Sequence, residues 1–219
     1  MLTAFRIVRG GYCADADVGE RGVIAGLAKD VVYLLGSDVD HEAERRSQTV
    51  DPDDPLAQLE ADVVDIVDAI AQEEPRTRAP YNIVTERLLP DMSEDPDEAA
   101  KLRELTETSI AAEKIENLVT VYQGLESVPK ESTEVIIANE EAAAWMSALN
   151  DIRIVLAAHL GIDDDAAAQA VADRARPFQG QGEQDREPTS EDMLAIVYSM
   201  VTWWQDSLVG AVRNKALRG

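Results

Sequence analysis

Cysteine and histidine are nearly missing from this chain. One cysteine, Cys13, in 219 residues excludes an internal disulfide framework and fits a reducing cytoplasm. Two histidines, His41 and His159, with that one thiol cannot supply a transition-metal site of the usual kind. No metal and no cofactor is expected. Long apolar runs are missing too. Runs such as Val31 to Leu35 fall far short of the ~20 residues a membrane span requires, and MLTAFRIVRGGY at the N-terminus lacks the apolar core of a signal peptide. The expectation is a cytoplasmic protein with no membrane contact.

Positive charge is scarce as well. Forty-three acids face 20 bases, for a net charge of −23. Such a field repels phosphate over most of the surface and argues against direct nucleic-acid binding. The basic exceptions are small: Arg45 with Arg46, Arg76 with Arg78, and Arg213, Lys215 and Arg218. The last group suits the negative end of a helix dipole. Catalytic signatures are absent. There is no GxGxxG, no P-loop and no GxSxG elbow. Gly180 and Gly182 lie in a polar stretch with no strand before them. DPDDPLAQLE lacks the glycine and spaced oxygen ligands of a calcium loop. No catalytic residue is assigned, and the chain is read as non-enzymatic.

What is present is helical periodicity. A Gly10-Gly11 pair between short alternating runs in residues 1–15 suggests a β-hairpin. From Asp17 to Leu35, Ile24, Leu27, Val31, Leu34 and Leu35 share one helical side, with Gly36 as stop. Residues 37–54 are polar and read as a loop. Asp54-Pro55 opens a helix whose stripe is Leu56, Leu59, Val63, Val67 and Ile70. A short helical piece covers Tyr81 to Leu89. Asp95-Pro96 opens the longest element, which runs to Val128. Its seven-residue recurrence of Leu105, Ala112 and Val119 suits near-parallel packing within a bundle, or an intermolecular coiled coil. Thr133 to Ala138 is a candidate strand able to join the hairpin. Asn139 is read as the cap of a helix ending at Leu160-Gly161, and Asp163 as the cap of an Ala-rich helix to Ala175. Residues 177–189 read as a flexible linker. Thr189 or Ser190 caps the last helix, whose face is Met193, Val197, Met200, Val201, Trp204 and Leu208. The expected architecture is mainly α. It is a multi-helix bundle with a small β-hairpin or short sheet, formed by the N-terminus and a strand near residues 134–138, in one domain over 1–219.

The helix AAWMSALNDIRIVLAAHLGI (Ala143 to Ile162) is apolar nearly all round, the mark of a central helix. Yet it carries Asn150, Asp151 and Arg153. A charge placed there demands a partner. Arg153 is expected to meet a carboxylate of the long helix (Glu104, Glu107, Glu113 or Glu116) and to touch Asn150. Asp151 points elsewhere and needs a base or free N–H groups. One reading makes this polar core cluster a register-setting device. The other makes it a pocket where Arg153 binds a small anion or Asp151 acts on a substrate. Cys13 is a candidate redox residue, expected near the surface with Arg6 or Arg9 lowering its pKa. Trp203 lies off the main stripe of the last helix, where it serves intramolecular packing or a homodimer interface.

Four segments carry a resemblance: RLLPD (Arg87 to Asp91), LRELTETSI (Leu102 to Ile110), WMSALNDIRIVLAAHLGI (Trp145 to Ile162) and VYSMVTWWQDSLVGAV (Val197 to Val212). They resemble, in order, an actinobacterial domain-of-unknown-function family that includes the oxidative-stress transcriptional regulator AosR. The resemblance implies a cytoplasmic, non-enzymatic stress regulator. Its partners would be proteins of the transcription or proteolysis machinery, and a nearby cysteine pair would switch it. This chain has only Cys13, so an intramolecular disulfide cannot operate here.

Overall fold

The computed structural model describes residues 2–47, 83–93, 95–178 and 187–218. Three sequence features lie outside them: the helix beginning at Asp54-Pro55, the Arg76 and Arg78 pair, and the glycines at 180 and 182.

The N-terminal hairpin forms as its pattern demands. Strand β1 (Arg6–Val8) turns through Gly10, at φ 87°, into β2 (Gly11–Asp15). Strand β3 (Glu134–Ala138) adds to the other edge of β2, and all pairings are antiparallel. Alternation sends Tyr12, Ala14, Val135 and Ile137 into the core, and Cys13 and Ile136 to the outer face. Gly11 must be glycine, because a Cβ there would lie 2.0 Å from the Ile137 carbonyl oxygen.

Helix α1 (Val18–Leu34) starts with a capping box. The Asp17 carboxylate accepts from Glu20 N–H at 3.0 Å, and the Glu20 carboxylate accepts from Asp17 N–H at 2.9 Å. Gly36, at φ 86°, ends the turn that follows. Part of the expected 37–54 loop is instead helix α2 (Val39–Ser47). Its sequence shows no stripe because a single residue, Val39, is its fully buried anchor. Polar contacts do the rest. The Asp38 carboxylate accepts from the Asp40 and His41 N–H groups, and Arg46 donates to Thr120 Oγ1 at 3.1 Å and to the Glu116 carbonyl at 2.6 Å.

Helix α3 (Ile83–Leu88) buries Val84 and Leu88. Arg87 donates to the Ile162 carbonyl at 2.9 Å and pairs with Asp163. Helix α4 (Pro96–Glu126) starts at the Asp95 cap with proline in its first turn. Its fully buried large residues, Leu118, Val119, Val121 and Leu125, lie in its C-terminal third. Helix α5 (Ala142–His159) is central and packs against α1, α3, α4 and the last helix. Asn139 is not its cap, as the sequence suggested. The chain makes a turn through 139–141, and the Asn139 side chain instead accepts from Lys215 Nζ at 2.5 Å. Helix α6 (Asp165–Ala175) is capped by Asp164, one residue beyond expectation, and runs into a 3-10 turn (Arg176–Phe178). Helix α7 (Ser190–Ala216) begins with the Thr189–Asp192 capping box.

The mainly α class with a short sheet is thus the observed one. Its core is organised by aromatic contact. Trp204 stacks on Phe5 at 4.8 Å and meets Trp145 edge-on at 6.0 Å, while its Nε1–H donates to the Thr3 carbonyl. Among the described residues no helix is long and apolar enough to cross a membrane.

Candidate functional site

Three places carry unusual chemistry. The first is the polar cluster of α5. Asp151 is 1% exposed, and its Oδ1 accepts from Lys114 Nζ of α4 at 2.5 Å. Its Oδ2 is buried without a hydrogen-bond partner. Burial pushes the Asp151 carboxyl above the ordinary aspartate value, against the pull of Lys114 and with a smaller push from Glu113. Arg153 is only partly buried and donates to Asn150 Oδ1 at 2.9 Å, its i−3 neighbour. Among the described residues no carboxylate pairs with it. Asp151 thus meets the base expected for it, supplied by α4, while the glutamate expected for Arg153 is not found among the described residues. Side-chain length explains the difference. A guanidinium on a long stem reaches past the apolar layer toward water. A short aspartate cannot, so a long lysine must come to it. His159, exposed at the helix end, bonds through Nδ1 to the Val155 carbonyl at 2.9 Å.

The second is Cys13, and it contradicts the surface position expected for it. It is 1% exposed. Its Sγ donates to Glu134 Oε1 at 3.2 Å. Arg6 does lie opposite, but its guanidinium is engaged by Asp15 and Glu134, both at 3.2 Å. Those covering side chains are themselves half-exposed, so the lid over the thiol is one layer deep. Burial first, then the Glu134 hydrogen bond, push the thiol from 9.0 to about 11, and Arg6 opposes them. At neutral pH it is a protonated, weakly nucleophilic group.

Sequence reasoning missed Arg21. It is 4% exposed and donates to four carbonyls: Ala16 at 2.9 Å, Ser132 at 2.7 Å, Val128 at 3.4 Å and Pro129 at 3.2 Å. One guanidinium thus ties the start of α1 to the chain leaving the negative end of α4 and entering β3. The signal available in sequence was a lone arginine among the apolar positions of α1.

The third is an open groove of about 880 Å³ between α1, α6 and α7. Its lining is mainly apolar and includes Leu2, Ile196, Met200 and Trp203, with Glu20, Asp165 and Asp206 at its borders. Trp203 is 47% exposed, while its neighbour Trp204 is fully buried. Consecutive residues on a helix point about 100° apart, so a Trp-Trp pair divides itself between core and surface. Among the described residues no three histidine, cysteine, aspartate or glutamate side chains cluster in a way that could hold a metal ion.

Over the described residues, fold and surface define a mainly helical protein with a small antiparallel sheet, a buried acid–base pair and an open apolar groove. The chain belongs to the family described as a domain of unknown function, DUF2017, whose model matches residues 2–212. Neither a curated protein nor a solved structure matches it. Two segments of this chain meet in space: Arg87 of RLLPD holds the turn after α5, and Asp91 of the same segment pairs with Arg103 of LRELTETSI.

Proposed function

We propose that this chain is a non-enzymatic regulatory or adaptor protein that works by binding another protein. Its setting is the cytoplasm, in oxidative-stress control of transcription. The carrying observation is the half-exposed Trp203 in an open apolar groove. A large aromatic left in a concave, apolar surface is the anchor type that dominates protein–protein interfaces. Charge supports the same reading. The net charge of −23 disfavours phosphate backbones. Two bases near the hairpin are consumed internally: Arg6 by Asp15 and Glu134, and Lys215 by the Gly11 carbonyl, Asn139 and the Tyr12 ring. The protonated, covered thiol of Cys13 suits it poorly as a peroxide trigger.

The test is photo-crosslinking from position 203 in native lysate, with and without peroxide, against a control crosslinker at the exposed Leu105. The reading expects discrete protein adducts at 203 that the control lacks. An identical background at both positions would sink it. If Cys13→Ser gives the same adducts as wild type under each condition, the thiol has no part in switching.

A further inference from the structure

Helices α1 and α7 border the concave surface. On α1, Glu20, Val23, Leu27, Asp30 and Leu34 recur every three or four residues and form one stripe. The other side of that helix, with Ile24, Ala28, Val31 and Val32, is core. On α7, Met193, Ile196, Met200, Trp203 and Asp206 follow the same spacing. The 880 Å³ groove brings Glu20 together with Met200, Trp203 and Asp206. A second cleft, of about 400 Å³, brings Leu27, Asp30 and Leu34 together with Leu194, over a floor that includes Ile152 and Leu156 of α5. The larger is lined mainly by α6 and α7, with Glu20 from α1, and the smaller mainly by α1 and α5, with Leu194 from α7, so α1 and α7 together flank one concave stretch, the seam. From Glu20 to Leu34 the seam extends about 21 Å at 1.5 Å per residue, close to four helical turns.

Two of its apolar residues are open to solvent: Leu34 is 36% exposed and Trp203 47%. Its charge is mainly acidic, with Arg176 and His159 the basic side chains among its lining residues. Among the described residues, Asp30, Asp165 and Asp206 have no ion-pair partner, and the one base in the larger groove, Arg176, is paired with Asp173.

We propose that this seam receives an amphipathic helix from a basic partner protein, an inference that rests on the protein-binding reading above. Apolar side chains at i, i+3, i+4 and i+7 of that helix enter between α1 and α7. Lysines or arginines on its flanks meet Asp30, Asp165 and Asp206. A second copy of this chain is a worse occupant. A two-fold contact sets the same patch against itself, so these carboxylates would oppose one another on a chain already at −23.

The probe is a synthetic helical peptide of about 16 residues, roughly the length of the seam. It has leucine on one face, lysine and arginine on the flanks, and no tryptophan. Its twin carries glutamate on the flanks. Trp145 and Trp204 are already buried, so a blue shift in emission on binding reports Trp203. The proposal expects the basic peptide to bind with that shift, and the acidic twin to bind at least about tenfold more weakly. Trp203→Ala should weaken binding by about tenfold or more. Asp30→Asn with Asp206→Asn should flatten its salt dependence. Equal binding of the twins, or binding unchanged in Trp203→Ala, would overturn it. So would a concentration-dependent dimer in sedimentation that Trp203→Ala dissolves, since the seam would then belong to a second copy. Specific adducts from position 203 with no peptide binding would reject the basic helix while keeping the protein-contact reading. Neither adducts nor peptide binding would end both.

Discussion

At Asp151 a carboxylate lies where water cannot reach it, and its pH response should run opposite to that of most surface acids. Burial holds its folded pKa above the ordinary 3.8. As pH rises through that window, the unfolded chain releases the proton first and the folded chain keeps it, so stability falls. Asp17, Asp38 and Glu42 have lowered values and give the reverse slope, so their contribution must be subtracted. Urea denaturation of wild type and Asp151→Asn from acid to neutral pH isolates it: wild type should lose ground to the variant as pH rises. Parallel curves would refute the assignment. Lys114→Met strips the carboxylate of its cation and should cost about 3 kcal/mol at neutral pH, and less in acid. Cys13 belongs to the same scale. Its thiol goes from 9.0 to about 11 on folding, so the stability tied to it is complete below pH 9 and is lost as pH rises toward 11. Alkylation of the native protein at pH 8 should be slow and should become fast in urea. Equal rates would show the covering layer to be open. The need of Asp151 for a base was readable from local sequence; which base comes to it, and the depth of Cys13, were not. The order N-D-I-R specifies which residues share a helix, while the depth of each depends on what α4 places across from it.

At the scale of elements, the fit between α4 and α5 centres on a glycine. A Cβ at Gly124 would meet Trp145 Cζ2 at 2.7 Å. Glycine within a helix ordinarily costs about 1 kcal/mol relative to alanine. Here Gly124→Ala should lower stability, by about 1–3 kcal/mol, because the indole is locked in the core against Trp204. A rise in melting temperature would refute that packing. Element boundaries marked by chemistry were legible in sequence. Asp17, Asp95-Pro96, Thr189 and the Gly10-Gly11 turn all act where their side-chain or backbone requirements place them. Elements held by tertiary contacts were not. Helix α2 has one apolar anchor and draws its support from α4, so a periodicity reading takes it for loop. Asn139 has the chemistry of a cap, yet Lys215 from the far end of the chain claims its side chain.

For the molecule as a whole, a charge of −23 dominates behaviour in solution. Like charges repel most when the chain is compact, and salt screens them. The melting temperature should therefore rise between about 10 mM and 150 mM sodium chloride, a range over which the screening length falls from about 30 Å to about 8 Å. A flat or falling response would mean that local ion pairs such as Arg6–Asp15 and Arg103–Asp91 outweigh the net repulsion. The acid-bordered seam between α1 and α7 is a local expression of the same field.

The sequence by itself determined the helical class, the hairpin, most helix starts, the single thiol and the acidic field. These follow from composition, from periodicity and from backbone rules that act within a few residues. Tertiary structure alone decided that Lys114 is the base that comes to Asp151; that Cys13 is sealed; that Arg21 joins four carbonyls; and that Trp203 is left at an open groove. Each of those outcomes depends on side chains brought together from distant parts of the chain. Their depth and partners are set by packing, and no local pattern encodes them.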